Sequence, residues 1–315
     1  MKYVKCCLVV LFFCCITNAF SSPYNNIVVF GDSLSDSGNL YQVMSKQFPV
    51  SPPYFHGRFS NGKVWVEWLP ELLAENNQKI KLENYAFGGA MAVDDGVIYL
   101  EGANLTLSSQ VDFYLNQKMT HEIDPHTLYI FLIGGNDYMS NPQVALENPE
   151  LVTDRIIAKI SDETMRLVKL GAKNILVGNV PDLGKTPFSR EISLDESISD
   201  ISVLHNQKLK QKIERLKETE TMTKWVYFDI YQFFKDAYDN PEKYGFDYTM
   251  KPCIDFQDND YTETYAIERY THSKLVKTVK PNCDKYMFFD LVHPTNRGHH
   301  FAAMLAAAQI NDASI

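Results

Sequence analysis

Short apolar runs that stop abruptly at glycine or proline recur along this chain, and they constrain its fold more than any other feature. Ile27-Val28-Val29-Phe30 ends at Gly31, Leu82-Glu83-Asn84-Tyr85-Ala86 runs into Phe87-Gly88-Gly89, Thr127 to Ile133 ends in Gly134-Gly135, and Asn174 to Val180 is stopped by Pro181. Apolar, β-branched runs bounded by turn formers read as buried strands. Helical patterns fill the gaps over 107–119, 149–170 and 196–219, and Trp225 to Asp229 reads as a last strand. Strand–helix alternation repeated about five times predicts an α/β fold with a doubly wound parallel sheet. Two more helices are expected. One follows Asn61 as its cap and carries the stripe Trp65, Trp68, Leu69 and Leu72, which reads as core. The other is Ala-rich, spans 296–309 and has Thr295 as its cap.

The chain has 315 residues, 45% of them hydrophobic, which suits one domain with an excursion better than two equal halves. Residues 1–19 are expected to be a cleavable signal peptide. Lys2 and Lys5 make a positive start, Cys6 to Ile16 is too short an apolar core to span a bilayer, and Thr17-Asn18-Ala19 offers a cleavage site, with Ala19-Phe20-Ser21 a second. Phe13 before Cys14 is wrong for lipid attachment, so a secreted or periplasmic protein without a stable membrane anchor is expected. Cys6, Cys7, Cys14 and Cys15 leave with the signal, and the remaining Cys253 and Cys283 are expected to pair in an oxidising compartment. Closing a loop of about thirty residues stabilises a fold by roughly 3–4 kcal/mol in the chain-entropy model. That bridge would hold 239–288, which breaks the strand–helix rhythm and reads as an insertion packed near the active face within a single domain over 20–315. The formal net charge of −9 argues against nucleic acid and anionic lipid as partners, though not against a neutral or zwitterionic lipid.

The strand ends carry the candidate chemistry. Ser33 lies just past the first strand, where open α/β sheets place their reactive groups. It is a candidate nucleophile or, more plainly, a helix cap. Gly88-Gly89 either makes a turn or leaves an amide N–H bare for a reacting oxygen, and Asn136 is either a turn residue or an amide donor. Asp290 and His293, three apart in a loop before the last helix, can pair as base and orienting carboxylate. His205 reads as a core histidine. His299 and His300 are adjacent on a helix and so face apart, which argues against a metal site. No Gly-rich nucleotide loop occurs, so no nucleotide cofactor is expected.

Taken in order, these segments resemble the GDSL family of SGNH hydrolases. Gly31-Asp32-Ser33-Leu34 is similar to the nucleophile block, Asn84-Tyr85-Ala86-Phe87-Gly88-Gly89 to the second, Gly134-Gly135-Asn136-Asp137 to the third and Asp290-Leu291-Val292-His293 to the fifth. The resemblance implies a flavodoxin-like three-layer α/β/α sandwich with a five-stranded parallel sheet, and serine ester hydrolysis without metal or cofactor. It implies Ser33, His293 and Asp290 as catalytic residues. It also implies an oxyanion hole of Ser33, Gly89 (with Gly88 the fallback) and Asn136. The turn Gly57 to Gly62 and the late disulfide loop look like those of exported bacterial phospholipase A, lysophospholipase and acyltransferase members, so a lipid ester is the expected substrate. Aromatic stretches 48–59 and 225–234 are candidates to cover an acyl chain, and the disulfide loop is a candidate lid. A carbohydrate acyl esterase, or a secreted binding module without catalysis, are the alternatives.

Overall fold

The structure is a computed structural model, and it describes residues 23–75, 78–93, 106–118, 123–256, 276–280 and 282–313. The expected signal peptide, with its four cysteines, lies outside the described residues. Five strands, β1 (Asn26–Gly31), β2 (Lys81–Asn84), β3 (Thr127–Leu132), β4 (Asn174–Gly178) and β5 (Lys224–Phe228), form one sheet in the order β2-β1-β3-β4-β5. All neighbours run parallel. Side chains alternate faces along a strand, and the sheet accordingly divides two cores. Val28, Phe30, Tyr129 and Phe131 pack on one face with the helices Leu107–Gln117, Pro149–Lys169 and Asp195–Thr219. Ile27, Val29, Leu128 and Ile130 pack on the other, against Ile230–Asp239 and Asn296–Asp312. The result is the expected three-layer α/β/α sandwich with a five-stranded parallel sheet. β3 is central and buried at every residue, which is why its sequence is apolar without alternation.

Two capping expectations are corrected. The segment after Asn61 is a 3₁₀ turn, Trp65–Glu67, followed by a separate short helix, Leu69–Leu73. Pro70 has no N–H to continue the first turn, so it starts a new helix instead. Trp65, Leu69 and Leu73 are buried, whereas Leu72 faces solvent and Trp68 is half-buried. Asn61 does cap a helix, but it is the last one: its Oδ1 accepts from the Asn296 amide at 2.7 Å. Thr295 stands at that helix's N-cap position, yet its hydroxyl donates to the Tyr286 carbonyl at 2.8 Å and makes no cap bond. The 57–62 turn is thereby fastened to the last helix, next to His293.

The 239–288 insertion is more regular than its sequence suggests. β6 (Tyr248–Pro252) pairs in parallel with β9 (Tyr286–Phe288), and β7 (Ile254–Phe256) pairs antiparallel with β8 (Val276–Val279). Cys253 and Cys283 are joined by a disulfide, with Cα atoms 5.4 Å apart. Cys253 and Ile254 bury against Tyr54 and Phe289, so the base of the insertion packs beside Asp290. Of the disulfide loop, the candidate lid, residues 257–275 and 281 lie outside the described residues. Among the described residues no helix is long and apolar enough to cross a membrane.

Candidate active site

The carboxyl ends of the strands bring the four sequence segments together. Ser33 follows β1, Gly89 follows β2, Asn136 follows β3, and the loop holding Asp290 and His293 precedes the last helix. His293 Nε2 lies 2.8 Å from Ser33 Oγ, and its Nδ1 lies 2.7 Å from Asp290 Oδ2. An ionised carboxylate only accepts, so Nδ1 donates to Asp290 and Nε2 is left to accept the Ser33 hydroxyl proton. Burial alone would raise the Asp290 carboxyl. The charge and hydrogen bond of His293, with the Val292 and His293 amides, outweigh it and hold the carboxyl below its ordinary range. The other Asp290 oxygen accepts from those amides at 2.9 and 2.7 Å, which curls the loop back on itself. Ser33 is no helix cap; the helix-side amides are taken by Asp36. The Asp36 carboxylate accepts from the amides of Gly38, Asn39 and Leu40 and from the Gly88 amide at 2.8 Å.

That last bond separates the two glycines. Gly88 spends its N–H on Asp36, and a Cβ there would stand 2.2 Å from the Phe59 ring. Among the described residues the Gly89 amide has no acceptor, and its φ of +79° suits glycine. Asn136 commits one amide hydrogen to the Ala90 carbonyl at 2.9 Å, which leaves a second. The Ser33 amide likewise has no acceptor among the described residues.

The sequence matches the family model for GDSL-like Lipase/Acylhydrolase over residues 27–306. The chain is a GDSL acylhydrolase, a serine carboxylic ester hydrolase by family. This acylhydrolase is 32% identical to the phosphatidylcholine-sterol acyltransferase of Aeromonas hydrophila, over 95% of its own length and 94% of the relative's. It is also 32% identical to the secreted effector protein SseJ of Salmonella typhimurium, over 89% of its own length but only 62% of the relative's. The carbohydrate acetylesterase Est24 of Sinorhizobium meliloti has the same fold, with a TM-score of 0.50 at 13% identity, over 91% of this chain and 99% of that one.

Around its site the acylhydrolase holds residues whose roles its sequence did not announce. Tyr54 Oη donates to Asp290 Oδ2 at 2.8 Å, and Phe59 lies 4.9 Å from the His293 ring, centroid to centroid. Asp137 accepts from the Ala92 and Val93 amides at 2.9 and 3.0 Å, fixing the strand of chain beyond Gly89. Burial pushes the Asp32 and Asp36 carboxyls up to about 6 and Asp137 up to about 7, against the amides they accept. The pattern Asp36-Ser37-Gly38-Asn39, a short acceptor ahead of exposed amides, was the one signal available for Asp36. His205 is a core histidine, 2.9 Å from Tyr138 Oη, and burial drops its pKa to about 3. His299 is buried, whereas His300 packs its ring 4.7 Å from Trp68.

A cleft of about 300 Å³ opens beside Ser33. Leu40, Phe48 and Phe59 line its β1–β2 side, and Tyr231 and Phe234 line it past β5. Trp225, from the second aromatic stretch, is buried in the core instead.

Proposed function

We propose that this acylhydrolase cleaves the acyl ester of lysophospholipids or phospholipids outside the cytoplasm, with Ser33 as nucleophile, His293 as general base and Asp290 as its orienting carboxylate. The observation that carries the assignment is the unbroken row from Ser33 Oγ through the His293 ring to Asp290, at 2.8 and 2.7 Å. As Ser33 Oγ forms a bond to the ester carbonyl carbon, its proton passes to His293 Nε2, and Asp290 stabilises the resulting imidazolium. Charge gathers on the carbonyl oxygen, where the Ser33 and Gly89 amides and the second Asn136 hydrogen are the free donors. The tetrahedral adduct collapses by breaking the bond to the alcohol, which leaves with the proton from His293. Water, deprotonated by the same imidazole, then releases the fatty acid from Ser33. A lipid alcohol in place of that water gives acyl transfer through the same steps.

A lipid substrate is supported by the apolar wall of Leu40, Phe48 and Phe59 beside the nucleophile and by a relative whose name is phosphatidylcholine-sterol acyltransferase. Export is supported by the disulfide, by the signal-like first nineteen residues and by a relative named as a secreted effector. The test is product analysis on diacyl and monoacyl phospholipid, with and without a sterol, beside acetylated sugars. Release of fatty acid or formation of sterol ester supports the assignment, whereas turnover of acetylated sugar alone replaces it with a carbohydrate esterase.

A further inference from the structure

The cleft is not apolar throughout. Where it crosses the ends of β4 and β5 it is lined by Asp182, Lys185, Tyr231, Lys235, Tyr238 and Asp239. Lys235 and Asp239 neutralise each other as an ion pair. Lys185 and Asp182 do not, although one 3₁₀ turn, Leu183–Lys185, carries the lysine and follows directly on the aspartate. Among the described residues Lys185 has no carboxylate within ion-pair distance; its ammonium rests over the Tyr238 ring, 5.4 Å from the centroid. Tyr238 is held in place by Arg190, which donates to its hydroxyl at 3.1 Å. Asp182 accepts from the Ser199 hydroxyl at 2.6 Å and has no cation partner among the described residues. Asp182 and Tyr231 both line the cleft here; after burial, the Asp182 charge raises the Tyr231 phenol and the Lys235 charge opposes it.

A cation and an anion that make no ion pair of their own among the described residues thus line the same cleft as the apolar residues, with Lys235 near enough to feel the Asp182 charge. We infer that this part of the cleft is a subsite for a zwitterionic glycerophospholipid headgroup, with Lys185 taking the phosphodiester and Asp182 with Tyr231 taking the cationic nitrogen. The inference rests on the proposed lipid ester substrate. Topology supplies the reach. Ser33 leaves β1 and Lys185 leaves the turn after β4, two strand spacings away at about 4.8 Å each. The glycerol and phosphodiester between an ester carbonyl and a headgroup nitrogen, a chain of bonds of roughly 1.5 Å, cover that span. A phosphate is a strong acceptor for an ammonium, and an aromatic face beside a carboxylate suits a quaternary or primary ammonium.

The test compares kcat/KM for lysophosphatidylcholine, lysophosphatidic acid and monoacylglycerol of one acyl chain. In Lys185→Gln the ratio of either phospholipid to monoacylglycerol is expected to fall about tenfold, chiefly through KM. In Asp182→Asn, which keeps an acceptor for Ser199, the ratio for lysophosphatidylcholine should fall while that for lysophosphatidic acid does not. A Lys185→Gln ratio equal to wild type, or equal losses on all three esters, overturns the subsite. Equal ratios for the two phospholipids in Asp182→Asn overturn the nitrogen half. Wild-type protein inert towards every ester overturns the proposed function instead.

Discussion

Carboxylates shielded from solvent to different degrees do opposite work on the two sides of the Ser33 hydroxyl. On the glycine side Asp36 and Asp137 face backbone amides, and burial leaves them pushed up to about 6 and about 7. On the histidine side Asp290 is buried as deeply as Asp36 and more deeply than the half-buried Asp137, yet a ring that can become positive holds it below its ordinary range. The first arrangement fixes where N–H groups point, which neutral and ionised carboxyls can both do in part. In the proposed mechanism the second stabilises a charge that exists only during turnover, which requires a permanent anion. Geometry is therefore the business of one side and charge that of the other, and substitutions can separate them.

The largest effects are expected at the groups that, in the proposed mechanism, exchange a proton or bear the acyl group. Ser33→Ala and His293→Ala are each expected to lower kcat by about 10⁴-fold or more, with circular dichroism and thermal unfolding close to wild type. Retained turnover in either purified variant would remove the assignment. Asn136→Ala should cost about 10²–10³-fold in kcat with little change in KM, because in the proposed mechanism its second amide hydrogen acts only as charge develops. A loss confined to KM would make Asn136 a substrate-binding residue rather than an oxyanion donor.

The glycine side was more legible in the sequence than the histidine side, and the reason is chain distance. β3 announces itself by an unbroken apolar run because both its faces are covered. Ser33, Gly89 and Asn136 each sit within a few residues of such a strand end, so local pattern finds them. Gly89 is separated from its fallback, Gly88, by an aspartate 52 residues away, which no local pattern reaches. Tyr54 meets Asp290 across 236 residues and Asn61 caps Asn296 across 235, and no local pattern encodes either contact. The short helix after Asn61 differs: the spacing of Trp65 and Leu69 reads as one stripe, and Pro70 within it divides that stripe into a 3₁₀ turn and a separate helix.

On the histidine side Tyr54→Phe isolates one hydrogen bond. Phenylalanine keeps the ring packed 5.2 Å from Phe289 and 6.2 Å from Phe59 while the donor to Asp290 is lost. Asp290 is depressed in the fold, so its contribution to stability is present above the ordinary value of 3.8 and is lost as pH falls through its lower folded value. Losing a donor raises that folded value and shrinks the contribution. Acid unfolding should begin at higher pH, and kcat should fall about tenfold with KM held. Unchanged acid unfolding together with unchanged kcat would leave Tyr54 as packing alone.

The smallest expected change, and the one that separates the two sides most directly, is Asp137→Asn. Its pKa runs the other way: raised from 3.8 to about 7, the folded state holds a proton that the unfolded chain has already released. Stability from this group is full below about pH 4 and drains away as pH rises through about 7. Asparagine cannot ionise and still offers one acceptor to the Ala92 and Val93 amides, so turnover at neutral pH should drop only a few-fold. Denaturant midpoints taken from pH 4 to 8 should decline less steeply in the variant than in wild type. Parallel curves would mean that Asp137 ionises as readily in the fold as outside it. The amides of Ala92 and Val93 would then compensate its burial much as His293 compensates that of Asp290, and the contrast between the two sides would disappear.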